Sequence, residues 1–139
     1  MLSGSFFGLY FEAKVAGELS AFLSRYDADR DHFRTVCAND RVEGAITIDG
    51  IAADTEGAHL RWFIVSDALR GRGAGRQLLE TALAFCRQKQ YARVFLHTFK
   101  GLEAARHLYE SMGFKLVQQQ EGSQWGTTVS EQRFEFSKV

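Results

Sequence analysis

Proline is absent from all 139 residues. Every tight turn must therefore be made by Gly, Asn, Asp or Ser, each of which reaches turn dihedrals in its own way. Cysteine is scarce: Cys37 and Cys86 stand far apart with no Cys or His beside them at ligand spacing. That excludes a disulfide framework and a zinc-ribbon pattern and leaves two reduced thiols. Neither charge is in excess, since 17 Lys and Arg balance 17 Asp and Glu. A neutral chain argues against nucleic acid or a membrane surface as a partner. No apolar run approaches the roughly 18 residues of a membrane span. The first seven residues, Met1 to Phe7, have no basic region and too short an apolar stretch for a signal peptide, so the expected location is the cytoplasm. Repeats, linkers and low-complexity segments are also missing.

What is present is globular: 45% hydrophobic residues, 13% aromatic and twelve Phe. The expectation is a single domain over residues 1–139, long enough to bury a core. Leu9, Phe11, Val15, Leu19, Phe22 and Leu23 follow helical spacing. Phe33–Ala38 and Val42–Ile48 read as strands joined through Asn39, Asp40 and Arg41 as a hairpin. Ala58–Val65 reads as a third strand, apolar enough from Trp62 onward to be covered on both faces. A helix beginning near Gly73 carries Leu78, Leu79, Ala82, Leu83 and Cys86 on one stripe. Tyr91–Thr98 is a strand, and Gly101–Met112 a helix with Gly113 as its left-handed cap. Phe114–Val117 and Val129–Phe136 are strands, separated by a polar loop, Gln118–Thr128, that contains Trp125. The order α-β-β-β-α-β-α-β-β predicts an α/β fold, a mixed sheet with helices on both faces.

Between the third strand and its helix lies Arg70-Gly71-Arg72-Gly73-Ala74-Gly75-Arg76. Glycines let a ligand approach the backbone, and the first N–H groups of a helix have no intrahelical partner and sit at the positive end of its dipole. Arginines add charge-assisted hydrogen bonds, so the segment is a phosphate cradle. A P-loop is excluded because no Lys-Ser/Thr follows a glycine at the required spacing. A dinucleotide fold is excluded because Gly71, Gly73 and Gly75 give Gly-x-Gly-x-Gly, not Gly-x-Gly-x-x-Gly.

The remaining pattern, Arg/Gln-x-x-Gly-x-Gly/Ala, is met by Arg70, Gly73 and Gly75 and resembles the pyrophosphate loop of the GNAT N-acetyltransferases. Val65, five residues ahead of Arg70, fits the same run. The stretch from Ala104 to Phe114 resembles the family's Ala-x-x-x-Tyr-x-x-x-Gly-Phe segment through Ala105, Tyr109, Gly113 and Phe114. The likeness covers roughly residues 30–136. The segment from Tyr10 to Phe33 is also similar to the start of acetyltransferase domains that follow MarR-type regulator domains, although the family's usual first strand is not evident in Met1–Gly8.

The resemblance implies an acyl-CoA N-acyltransferase fold whose mostly antiparallel mixed sheet splays to admit acetyl-CoA, the cosubstrate, with no metal. Backbone groups of Phe63, Ile64 and Val65 would pair with the pantetheine arm. N–H groups from Gly71 through Arg76, with the Arg70 and Arg76 side chains, would hold the pyrophosphate. Tyr109 matches the tyrosine that gives a proton to the departing thiolate. His59 stands where protein-acetylating relatives carry a Glu, and an imidazole there takes the acceptor's proton directly or through water. Glu131 and Glu12 are weaker candidates for that task. Many relatives carry an Asn where this chain has Leu102, so that contact falls to His97 or Thr98. His97 and His107 have no metal-ligand partner at useful spacing, and Trp125 is a candidate acceptor contact.

The implied activity is direct acetyl transfer to a primary amine of a small molecule, amino acid or peptide in a ternary complex. Cys37 and Cys86 are poorly placed for a covalent route. Arg61, on the strand parity of His59, is a candidate partner for an acceptor carboxylate. The alternatives are a non-catalytic acyl-CoA-binding or sensing domain and a protein lysine or N-terminal acetyltransferase. Phe6, Phe7, Tyr10 and Phe11 form a candidate homodimer contact.

Overall fold

A computed structural model describes residues 15–66, 69, 71–99, 103–122 and 129–137. Helix α1 is seen over residues 15–24. It is followed by β1 (His32–Ala38), β2 (Arg41–Asp49), β3 (Ala58–Val65), α2 (Ala74–Gln88), β4 (Arg93–Phe99), α3 (Glu103–Ser111), β5 (Lys115–Gly122) and β6 (Val129–Ser137). The expected element order therefore holds. The candidate dimer aromatics, Glu12, Arg70, Leu102 and Trp125 lie outside the described residues, as does the segment Met1–Gly8.

The strands form one mixed sheet in the order β1-β2-β3-β4-β6-β5. Only β3 and β4 run parallel; the other neighbours are antiparallel. The β1–β2 hairpin closes through Asn39 and Asp40, both left-handed at φ 55° and 62°. Two successive positive φ values match the twist of the flanking strands, and Asn and Asp tolerate them best after glycine. Both parallel crossovers, through α2 and through α3, step along the sheet in one direction. Their shared right-handedness puts both helices on one face.

That face holds the main core. Ile46, Ile48, Leu60, Phe63, Leu96 and Phe134 from the strands meet Leu79, Leu83 and Tyr109 from the helices, each almost fully buried. The α2 stripe is buried as its periodicity predicts. On the opposite face α1 is anchored by Phe22, fully buried and edge-on to Trp62 at 5.6 Å. Beneath α1, Arg25 donates bidentately to Asp49 (3.0 and 2.7 Å), and Arg61 bridges Asp49 (3.2 Å) and Glu18 (2.9 Å). Burial alone would raise the Asp49 carboxyl, but Arg25, the Ile51 N–H and Arg61 together hold it below its ordinary value.

Two expectations are corrected. The polar segment after Val117 is not all loop, since Gln118 to Gly122 continue β5 against β6. The strand is exposed along both faces from Lys115 to Glu121, so it carries none of the apolar alternation by which strands are recognised. β3 is not covered on both faces beyond Trp62: Ile64 is 39% exposed, because β4 has parted from it there.

Candidate active site

β3 and β4 pair only at Ala58↔Val94 and His59↔Phe95. Beyond these positions β3 follows β2 as far as Val65, while β4 follows β6 as far as Phe99. Backbone edges over Leu60–Val65 and Leu96–Phe99 therefore face a wedge with no strand in it. Within this unpaired stretch β3 carries a β-bulge in which Trp62 and Phe63 stand opposite the single residue Ile46. Trp62 takes φ 48°, rare for a bulky side chain. Its ring is held between Phe22 and the Arg61 guanidinium, 4.2 Å from the ring centroid. Bulges bend the strand that carries them and recur beside functional sites. Past the bulge, Phe63 is buried in the core at 3% exposure while Ile64 faces outward.

The chain leaves β3 into the glycine–arginine loop. Ser66 is tied down through its N–H to the Glu43 carbonyl at 2.8 Å and through its hydroxyl to the Glu43 carboxylate. The turn closes with the Arg72 N–H donating to the Leu69 carbonyl at 3.2 Å. Gly71 and Gly73 are left-handed at φ 78° and 71°. Gly73 caps α2 without a side-chain hydrogen bond, and no acidic residue occupies the first turn. The first intrahelical donor is the N–H of Gln77, bonded to the Gly73 carbonyl at 3.0 Å. Among the described residues the N–H groups of Ala74, Gly75 and Arg76 have no partner and face an anion site, with open space over Gly71 and Gly73. Gly75 differs: a Cβ there would lie 3.5–3.7 Å from Leu108, Val65 and Phe63, in ordinary contact. Arg76 is partly engaged, donating to Ser111 Oγ (3.2 Å) and Met112 Sδ (3.4 Å) at the end of α3.

Tyr109 comes from α3 and is 3% exposed, with Phe63, Phe114 and Phe134 about it at ring-centroid distances of 6.1, 5.9 and 6.1 Å. Its position follows from the helix end. The Phe114 N–H bonds the Tyr109 carbonyl (3.0 Å), and the Gly113 N–H bonds the Glu110 carbonyl (3.1 Å). This is a Schellman motif with Gly113 at φ 105°. The spacing Tyr-x-x-x-Gly-Phe is therefore the spacing of a helix cap, and the same cap sets the tyrosine ring against the wedge. Burial alone pushes the phenol above its ordinary value, so it holds its proton at neutral pH.

His59 lies at the closed end of the wedge, stacked on Phe95 at 4.4 Å and edge-on to His97 at 5.6 Å. Burial, then Arg61, then His97 lower its imidazole to about 3, so it is neutral. Arg61 already holds two carboxylates. The Cys86 thiol is raised by burial to about 12, which makes it inert, and Cys37 is exposed on the edge strand β1. Three features had no signal in the sequence: the bulge at Trp62, a Thr98 hydroxyl buried without a partner, and a Glu131 carboxylate oxygen in the same condition. Among the described residues no group of His, Cys, Asp and Glu is arranged to hold a metal.

The sequence profile of the acetyltransferase (GNAT) family matches residues 5–114. The chain belongs to the GNAT acetyltransferase family. It is 31% identical over 86 residues to human N-acetyltransferase 8B, a match covering 62% of this chain and 38% of that relative. The structure resembles a putative GNAT acetyltransferase from Desulfovibrio desulfuricans with a TM-score of 0.72 and 23% identity, over 98% of this chain and 87% of the other. It also resembles a GNAT acetyltransferase from Elizabethkingia anophelis with acetyl-CoA bound, with a TM-score of 0.66 and 14% identity, over 87% and 82% of the two chains. These likenesses show that this GNAT chain has the family fold.

Proposed function

We propose that residues 1–139 form one N-acetyltransferase domain that moves acetyl from acetyl-CoA directly to a primary amine. The observation that carries the reading is the alignment of three features at one opening. The wedge between β3 and β4 offers unpaired backbone to the pantetheine arm, the open N-terminus of α2 offers N–H groups to the pyrophosphate, and Tyr109 stands beside Phe63 where the two meet. The neighbour from Elizabethkingia anophelis, solved with acetyl-CoA bound, supports the same donor. We read the domain as cytoplasmic; no helix among the described residues is long and apolar enough to cross a membrane.

In this mechanism Phe63, Ile64 and Val65 hold the arm through their backbone. Gly71 through Arg76, with Arg70, Arg72 and Arg76, hold the phosphates. The donor enters from the face that carries α2 and α3, which leaves the α1 face to the acceptor. A neutral amine nitrogen attacks the thioester carbon, the N–C bond forms and the C–S bond breaks. Backbone N–H groups at the bulge stabilise the oxyanion. Tyr109 gives its proton to the thiolate and regains one from solvent. The proton lost by the amine passes to water, and neutral His59 orients that water as a hydrogen-bond acceptor. Holding amine and thioester in attack geometry supplies most of the acceleration.

The test is CoA release from acetyl-CoA in the presence of a panel of primary amines, read by a thiol reagent. Amine-dependent release is expected. Tight acetyl-CoA binding with no acceleration by any amine would make the protein a sensing or binding domain.

A further inference from the structure

Glu131 sits on β6 with its side chain on the α1 face, opposite Phe99 of β4 and Gln120 of β5, at the open end of the wedge. It is only 9% exposed, and its Oε1 has no hydrogen-bond partner. Among the described residues, the arginine beside it on the strand is engaged elsewhere. Arg133, next along the same face of the strand, donates to Glu56 and Glu135 (2.9 Å each) and stacks on Phe95 at 4.0 Å. Gln120, directly across, accepts from Gln118 through its amide oxygen at 3.2 Å and, as a neutral amide, cannot balance a carboxylate's charge. The carboxylate occupies space left by Gly122, where an added Cβ would come within 2.5–2.6 Å of it. A buried carboxyl in a seat left by a glycine, with no cation bonded to it among the described residues, is suited to a cationic ligand.

We propose that Glu131 holds a cationic group of the acceptor other than the nitrogen that is acetylated, so that the acceptor is a diamine or an amine bearing a second positive charge. The inference rests on the acetyltransferase reading. The attacking nitrogen must be neutral and so cannot be the lasting partner of a carboxylate. The strand register agrees. Glu131 lies three residues along β6 from Phe134, which abuts Tyr109. That is a displacement of about 10 Å along the strand, too far for contact with the reacting atoms.

The experiment compares kcat/KM for paired acceptors of three, five and eight carbons, each an n-alkylamine against the corresponding α,ω-diamine. The wild-type protein is expected to prefer the diamine by about tenfold or more in at least one pair, as one ion pair supplies. Glu131→Gln should bring that ratio to about one, with the KM for acetyl-CoA unchanged and the melting temperature not lowered. Gly122→Ala, which keeps the charge but displaces the carboxylate, should also reduce the ratio. Binding of the same pairs to the CoA complex, read by calorimetry, gives the answer independently of turnover. Absence of amine-dependent CoA release would remove the enzyme reading alone. No diamine preference in rate or binding, a preference that survives Glu131→Gln, or a Glu131→Gln protein that melts lower would overturn the role given to Glu131.

Discussion

Tyr109 is the single residue at which packing and proposed chemistry meet. It is buried by Phe63, Phe114 and Phe134 and set beside Phe63 by the α3 cap. Tyr109→Phe keeps the ring packing and removes the proton. It should lower kcat by about 10- to 100-fold, toward the low end for general acid catalysis because a thiolate leaves readily. Isothermal titration should find acetyl-CoA affinity within about twofold of wild type, since the phenol acts on the departing sulfur and not on the arm. The two loop glycines separate in the same way. Gly73 is left-handed, so Gly73→Ala costs about 1–2 kcal/mol of strain and should raise the KM for acetyl-CoA. Gly75 needs no special dihedral and has room for a methyl, so Gly75→Ala should leave that KM unchanged and stabilise α2 by up to about 1 kcal/mol. Equal effects of the two substitutions on KM would refute the distinction. The glycine spacing and Tyr109 were legible because each motif is a local device, a turn or a helix cap. Glu131 was legible in the sequence only as a weaker candidate base on a strand. Its isolation depends on where Arg133, Gln118 and Gln120 point, which tertiary structure alone decides.

At the scale of elements, α2 ends as α3 does. The Tyr91 N–H bonds the Cys86 carbonyl and the Gln90 N–H bonds the Arg87 carbonyl, both at 3.0 Å, but the left-handed position is Gln90 at φ 61°. A glycine there relieves Cβ strain, so Gln90→Gly should raise stability by about 1 kcal/mol in urea denaturation without changing acetyl-CoA kinetics. A loss of stability would mean that the Gln90 side chain contributes packing that outweighs the strain. The helices and the β1–β2 hairpin followed from periodicity and turn residues. The outer part of β5 did not, because Gln118, Gln119 and Gln120 are strand residues by virtue of pairing with β6 and not by composition. The bulge in β3 was equally hidden. Trp62 takes a positive φ with its ring against Phe22 and Arg61, an arrangement that only the tertiary fold assembles, in the stretch where β3 has already left β4.

At the scale of the whole molecule, histidines lie on both faces of the sheet: His59 on the α1 face, and His32 on the α2 face, 5.1 Å from Phe85. His59 and His32 are both lowered, in each case chiefly by burial. Their folded forms resist protonation while the unfolded chain takes up protons near 6.5. The linkage sign follows: between about pH 6.5 and the lowered native values the unfolded state binds more protons, so stability falls as pH falls and is fully present above 6.5. Each histidine adds a slope of at most about 1.4 kcal/mol per pH unit in that window. His59→Gln should therefore flatten the acid limb of a urea-midpoint titration by about one proton; an unchanged slope would mean that His59 is not held neutral by the fold.

The central claim is that the wedge, the glycine–arginine loop and Tyr109 serve one direct transfer from acetyl-CoA to an amine. The measurement that tests it most directly is the initial rate of CoA release over a matrix of acetyl-CoA and amine concentrations. Amine-dependent release with reciprocal plots that intersect is expected, as a ternary complex requires. Parallel lines, the mark of an acyl-enzyme, or release that no amine accelerates would contradict it.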